Sequence, residues 1–383
     1  MKKDWQVLTI GDVCKSASSN VSQNKLANDD GDYPIYGASG LIKNVSFYHR
    51  NEPYLSIVKD GSGFGRITKM DAFTSVIGTL QYIIPNEDID LDYLNYSLMS
   101  VDFKKYVSGA AIPHIYFKDY KNEPFLWMPL PEQRRIVALL DEAFIAIAKA
   151  KHNAEQNLQN AKELYESYLQ GVFDNGGNEW EENKLGEVLV KTETTDPTKK
   201  PNEEFTYLDV SSVNKETKEI ESATVLLGKN APSRARKLVR TNDVIFATVR
   251  PTHSRVAIIT EQYDEQVCST GYFVLRAKQL LNNKLVYYFL LTNGFNHQMA
   301  KLQKGASYPA VTDSDVKGIF ISYPKSIEAQ QGIVQKLDAL SAETKKLEAI
   351  YRQKMEDLEE LKKSVLQKAF AGELQTSKVE AMV

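Results

Sequence analysis

The chain has 383 residues, 42% hydrophobic and 25% charged, with a formal net charge of −3. Those values suit two or three globular domains with cores of their own. They exclude a membrane span, since no stretch approaches about 18 apolar residues. No apolar run follows Met1-Lys-Lys-Asp-Trp5, so no signal peptide is expected, and Cys14 and Cys268 lie far apart without metal-ligand spacing. Two buried thiols in a reduced cytoplasm are the expectation. The negative balance weighs against a nucleic-acid partner unless the charges are segregated, and they are. Lys229 to Arg255 carries seven Lys/Arg against Asp243 alone, a local +6, and Leu41 to Lys69 carries five against Glu52 and Asp60, a local +3.

In chain order, Trp5-Gln-Val-Leu-Thr-Ile-Gly-Asp-Val13 opens the first half. Tyr33-Pro-Ile-Tyr-Gly-Ala-Ser-Gly40 reads as strand and turn, and Tyr54 to Val58 as a strand. Lys59-Asp-Gly-Ser-Gly-Phe-Gly65 reads as a hairpin turn or as a cradle of N–H groups for a DNA phosphate. A strand over Ser75–Ile84, a helix over Asp92–Val107 and extended chain over Ile115–Leu126 follow.

From Pro131 to Phe173 the positions Val137, Leu140, Phe144, Ile147, Lys151, Ala154, Leu158, Ala161, Tyr165, Tyr168 and Val172 alternate at spacings of three and four. That is the seam of a long helix, roughly 60 Å at about 1.5 Å per residue. Lys151 inside it either snorkels outward or fixes register. Asn175-Gly-Gly-Asn178 is a linker.

The second half repeats the plan. Trp180 to Val188 matches Trp5 to Val13 at an offset of 175. Strands are predicted over Thr206–Val210, Val244–Val249, Arg255–Ile259, Gly271–Leu275 and Phe320–Tyr323, with a mostly helical Asn283–Gln303. Gly305-Ala-Ser-Tyr-Pro309 echoes Gly109-Ala-Ala-Ile-Pro113. A second long helix carries Leu337, Leu340, Leu347, Tyr351, Met355, Leu358, Leu361, Val365 and Ala369, with Thr344 inside the stripe, and it matches the first at an offset of 197. Matching ends around unlike middles describe a shared frame with two different inserts.

Catalytic signatures are absent: there is no phosphate-binding Gly-x-x-x-x-Gly-Lys-Ser/Thr loop, no His-Glu-x-x-His and no Asn/Asp-Pro-Pro-aromatic motif. His49, His114, His152, His253 and His297 are scattered, without ligand spacing.

The duplicated plan, Pro129-Leu-Pro-Glu-Gln133 leading into a long helix, the Leu-x-x-Ser/Tyr-x-Leu-Gln-x-x-Phe helix ends and Tyr33 to Gly40 together resemble the specificity subunit of a type I restriction–modification system. Pro324-Lys-Ser-Ile-Glu-Ala-Gln-Gln331 keeps the Pro and Gln of that string and loses the rest. The resemblance implies an α+β chain. Two α/β target-recognition domains, 1–130 and 175–325, are joined by two long helices, 131–174 and 326–374, packed as an antiparallel coiled coil with pseudo-twofold repeat; residues 375–383 form a frayed tail. It also implies a non-catalytic role on an asymmetric, split DNA site. Two methyltransferase subunits and restriction/translocase subunits would be the partners, and S-adenosylmethionine, ATP and Mg would sit on them. A coiled-coil scaffold with two peptide-binding heads is the alternative.

On that reading the DNA-contact candidates in the first half are Lys43, Lys59, Ser62, Arg66, His114 and Lys118. In the second they are Arg234, Arg236, Arg250, Thr252, His253, Arg255, Ser307 and Tyr308. Arg250-Pro-Thr-His-Ser-Arg255 is the sharpest of these, with a solvated turn as the plain reading. Candidates for the helix seam and for partner docking are Val137, Leu140, Phe144, Ile147, Leu158, Tyr165, Leu337, Leu340, Leu347, Leu358 and Val365.

Overall fold

The computed structural model describes residues 4–109 and 111–373; Ala110 of the first Gly-Ala-x-x-Pro loop and the tail over 375–383 lie outside them. The chain divides into two compact units, residues 1–155 with 352–383, and residues 156–351.

In the first unit, β1 (Gln6–Thr9), α1 (Ile10–Val13) and β2 (Cys14–Ser18) lead to the hairpin of β3 (Tyr33–Gly37) and β4 (Gly40–Val45). Then come β5 (Tyr54–Val58), β6 (Ile67–Met70), β7 (Ser75–Val76), β8 (Leu80–Pro85), α2 (Leu91–Met99), α3 (Phe117–Tyr120) and β9 (Pro124–Trp127). The strands form sheets in the orders β2-β8-β5-β6 and β4-β3-β7, and β1 and β9 pair as a ribbon. Two expectations are corrected here. Residues 117–120 form a short helix rather than extended chain, and the expected helix over 92–107 stops at Met99 and resumes as a 3₁₀ turn over Phe103–Tyr106. Asp102 interrupts it, turning its carboxylate onto the Lys104 N–H in competition with the helical pattern.

The helix α4 runs unbroken over Leu130–Asp174, 45 residues. The second unit then opens with β10 (Trp180–Lys184) and α5 (Leu185–Val188), followed by β11 (Glu204–Leu208), β12 (Thr224–Leu227), β13 (Ala235–Leu238), β14 (Val244–Ala247), β15 (Val256–Ile258), β16 (Val267–Ser269) and β17 (Tyr272–Leu275). Next are α6 (Asn283–Leu290), α7 (Asn293–Leu302), α8 (Asp313–Lys317), β18 (Phe320–Pro324) and α9 (Ile327–Phe370), the last with 44 residues. The sheets are β12-β11-β16-β13 and β15-β14-β17, and β10 and β18 form the ribbon.

The frame is duplicated at the level of single bonds. Asp12 accepts a hydrogen bond from the Thr9 N–H, and Glu187 accepts one from Lys184 in the same place. Gln133 is fully buried; its carboxamide accepts from Asp90 N at 2.8 Å and donates to the carbonyls of Asp88 (2.9 Å) and Met128 (2.8 Å). Gln330, also fully buried, accepts from Asn282 N at 2.8 Å and donates to Leu280 O (2.9 Å) and Pro324 O (2.8 Å). A buried amide must have all its donors and acceptors met, which explains why Gln outlasts the rest of the Pro-Leu-Pro-Glu-Gln string. Tyr96 likewise bonds Asp141, and Tyr288 bonds Asp338 at 2.5 Å.

Each unit buries the start of one long helix with the end of the other. Ile136 and Leu140 join Leu366 and Ala369 in the first core, and Val334 and Leu337 join Leu169 and Phe173 in the second. Each buried Leu and Ile among them contributes about 1.5–3 kcal/mol. The pairing is antiparallel within each unit. Lys151 Nζ reaches Glu359 at 2.6 Å and Lys362 stands over the Phe144 ring, while Lys162 reaches Glu348 at 3.6 Å. Lys151 therefore sends its charge out of the seam to an ion pair across the helices.

The α9 seam differs from the one expected. Leu340 and Leu347 are 39% and 38% exposed, and the half-buried positions are Ser341, Thr344, Glu348, Tyr351, Met355 and Leu358. A seam kept in one heptad register from Leu337 passes through those residues, so helical period overrides side-chain hydrophobicity. On α4, Tyr168 is 42% exposed and Leu169 takes the inward place. Of the other seam candidates, Leu140 and Leu337 are fully buried, and Val137, Phe144, Ile147, Leu158, Tyr165 and Val365 are half-buried.

Candidate nucleic-acid interface

Both units bring the same two loops together: the chain leaving a central strand and the Gly-Ala-x-x-Pro loop. In the first unit Asp60, two residues beyond β5, bridges His114, and Ser108 bridges His114 across the neck of the loop. The Gly61 N–H donates to Pro113 O at 2.9 Å. Gly61 and Gly109 have φ of +94° and +92°, a region open to glycine without a Cβ clash. The Gly-rich segment behaves as a turn between β5 and β6, with Gly65 N bonded to Val58 O and Arg66 N to Gly63 O.

A row of side chains crosses this surface. Lys59 Nζ lies 2.7 Å from Asp60, and Asp60 lies 2.8 Å from His114 Nδ1. The His114 ring stacks near Tyr116 at 6.3 Å, and Lys118 Nζ stands 5.4 Å over the Tyr116 ring. Partial burial pushes the Asp60 carboxyl up, but bonds from Lys59 and His114 outweigh it and hold the group below the usual carboxylate range. Arg66 donates to Ala38 O in the β3–β4 turn and lines a cavity of about 220 Å³ with Tyr36, Ser39 and Ser56. Ser62 is exposed nearby in sequence. Lys43 stands apart on β4, paired with Asp30 at 2.7 Å.

In the second unit Val249 and Lys304 both bridge Ala310, and Arg250 N donates to Pro309 O at 2.7 Å. The Arg250 guanidinium lies 5.2 Å over the Tyr308 ring, which is 72% exposed. Arg250 and Ser254 bracket a 3₁₀ turn over Pro251–His253 at φ of +50° and +48°. Non-glycine residues there cost about 1–3 kcal/mol each and persist only where surroundings hold them. The hairpin of Val213 and Ile220 does so from behind. Lys218 Nζ donates to Ser254 O at 2.8 Å, and Arg255 donates to Val213 O. Burial lowers the Lys218 ammonium below its ordinary range. Thr252 is half-buried in the turn, while His253 and Ser307 are exposed.

The structure therefore gathers Lys59, His114 and Lys118 in one unit, and Arg250, Thr252, His253, Ser307 and Tyr308 in the other. It turns others inward. Arg236 pairs with Asp196 at 3.4 Å, Lys237 with Asp313 at 2.8 Å, and Arg240 with Glu193 and Glu265 at 3.4 Å. Arg255 serves a backbone carbonyl. Three of the seven cations behind the local +6 are thus paired with carboxylates from other segments. Arg234 stays exposed. Sequence reasoning missed Asp60, Tyr116 and Lys218. No local spacing announces them, because each acts on a residue at least 36 positions away or through ring stacking.

Among the described residues no group of three or more His, Cys, Asp or Glu is placed to hold a metal ion, and no helix is long and apolar enough to cross a membrane. Cys14 and Cys268 are both buried, which pushes each thiol up to about 12.

A family model described as the type I restriction modification DNA specificity domain matches residues 2–157 and again residues 177–356. The chain belongs to that family. The type I restriction enzyme MjaVIII specificity subunit of Methanocaldococcus jannaschii is 24% identical over 409 residues, spanning 97% of this chain and 93% of that protein. The EcoDI specificity subunit of Escherichia coli is 22% identical over 410 residues, spanning 97% and 89%. A solved chain described under complex assembly and conformational transition of the type I R-M system has a TM-score of 0.74 at 18% identity, over 98% of this chain and 99% of that chain; the two share a fold. The two strand-end and Gly-Ala-x-x-Pro loop pairs fall one in each of the two segments that the family model matches.

Proposed function

We propose that this specificity subunit binds an asymmetric, bipartite DNA site and directs two adenine-methyltransferase subunits and restriction/translocase subunits to it, without an active site of its own. The recognition domains are residues 1–130 and 175–325, and the helices 131–174 and 326–374 join them and dock the partners. S-adenosylmethionine, ATP and Mg belong to those partners, and the complex works in the cytoplasm. The observation that carries this reading is chemical: one frame, repeated bond for bond, presents an Asp60–His114 pair in one place and an Arg250–Tyr308 pair in the other. Identical frames with identical loops would read a symmetric site; unlike loops read unlike halves. Exposed Arg234 and Lys118 suit phosphate contacts, which set register and make binding salt-dependent.

The test is co-expression with a type I adenine methyltransferase, followed by mapping of methylated adenines. A split consensus with two different halves is expected. Methylation without any split consensus would refute the assignment.

A further inference from the structure

Resting on that DNA-reading role, we infer that Arg250, stacked on Tyr308, reads a guanine in the half-site taken by the second recognition domain. Three observations single it out. Its neighbours Arg236, Lys237 and Arg240 are spent on carboxylates and Arg255 on a carbonyl, whereas Arg250 is exposed and its guanidinium meets the Tyr308 ring. Its guanidinium carbon stands 5.2 Å over the ring centroid, and among the described residues none of its N–H donors is held by a hydrogen bond or an ion pair, so all remain available to a ligand. The backbone beneath is fixed twice, by Arg250 N on Pro309 O at 2.7 Å and by Lys218 on Ser254 O at 2.8 Å, with both loop ends held at positive φ.

A phosphate contact requires none of that. Any exposed lysine makes one, in many geometries. A base edge does require a planar fork held at a set place and angle. Arginine has donors only, and guanine presents two adjacent acceptors, O6 and N7, in the major groove. Adenine places an N–H₂ beside its N7, cytosine offers a donor, and thymine a single acceptor beside a methyl group. The stacked Arg250 fork therefore selects guanine by leaving every other base with an unmet or opposed group.

The experiment maps methylated adenines in cells carrying the subunit with its methyltransferase, for the native chain and for Arg250→Gly, Arg250→Lys and Arg250→Gln. Glycine is chosen because it adopts the positive φ freely, so the fold is kept while the fork is removed. In the native consensus one position of one half is G. Arg250→Gly lowers the preference there by between about five- and 150-fold and leaves the remaining positions as they were. Arg250→Lys retains a weakened G, and Arg250→Gln moves that position towards A, whose N6 and N7 suit a carboxamide. A uniform fall in methylation with the consensus intact would make Arg250 a phosphate contact and overturn the inference. An unchanged methylome in Arg250→Gly would overturn it as well. If Arg250→Gly melts well below the native chain, Arg250→Gln decides the matter: an unshifted consensus there is equally fatal. Absence of any split consensus in the native complex would remove the DNA-reading role itself, an outcome separate from the others.

Discussion

The loop of residues 108–114 and the loop of residues 304–310 do the same structural job with opposite chemistry. Each closes on itself and bridges the end of a strand, Asp60 in one unit and Val249 in the other. On the first, Lys59 and Asp60 cancel and the surface offers a ring pair, His114 and Tyr116, with Lys118 over it. On the second, a guanidinium rides on the exposed Tyr308 with no carboxylate in the stack. The difference teaches that in this duplicated fold the bonds that hold the frame are copied, while the exposed side chains of the two loops diverge.

The largest effects should come from the copied bonds, and they should be equal. Gln133→Leu and Gln330→Leu each leave one buried acceptor and, partly buried, one donor and a second acceptor without their partner. At about 1–3 kcal/mol per unmet group, each should cost roughly 3 kcal/mol or more by urea unfolding. A gap between the two larger than about 1 kcal/mol would break the equivalence of the frames.

The divergent loops should behave unequally. Arg250→Gly relieves a left-handed non-glycine residue and should raise stability by about 1 kcal/mol while relaxing one base of one half-site. No gain is expected from Asp60→Gly, since Asp60 is not among the residues at positive φ. A stabilised Arg250→Gly that keeps full specificity would separate the strain from the reading.

Acid offers a third contrast. The Asp60 carboxyl is held below its unfolded value, so its contribution is present above about pH 4 and fades as pH falls through the lower, folded-state value. Unfolding at pH 6 should show Asp60→Asn less stable than the native chain, and the gap should close as acid protonates the folded-state carboxyl, below the usual carboxylate range. A gap that persists at low pH would remove the Lys59–Asp60–His114 chain as its cause. The smallest effect is expected in the coiled coil. Lys151 pairs with Glu359 across the surface, and such exposed pairs contribute little. Lys151→Leu should therefore raise Tm modestly, and a lowered Tm would assign the ion pair a real part in register.

The sequence made α4 plain because the run from Glu132 to Gln170 carries one period with neither Gly nor Pro. It misled in part on α9, where Leu340 and Leu347 attract the eye while Ser341 and Glu348, beside the expected Thr344, occupy the seam. The strands β12, β13 and β16 went unseen; β13 is Ala-Arg-Lys-Leu and carries no alternation that outweighs its charge. Basic clusters were legible as composition, but Asp196, Asp313 and Glu193, which pair with three cations of one of them, come from 40 or more residues away. That 324–331 keeps a Gln of the Pro129–Gln133 string was visible in the sequence; only the fold shows that Gln133 and Gln330 face inward. The loops were legible as candidates and the structure places each pair side by side, whereas which cations remain free depended on long-range pairing.

The most direct test exchanges residues 180–325 for the corresponding module of another type I specificity subunit, in complex with the methyltransferase, and maps methylated adenines before and after. A shared frame with independent readers predicts that one half of the consensus is replaced and the other stays letter for letter. Changes in both halves would contradict it.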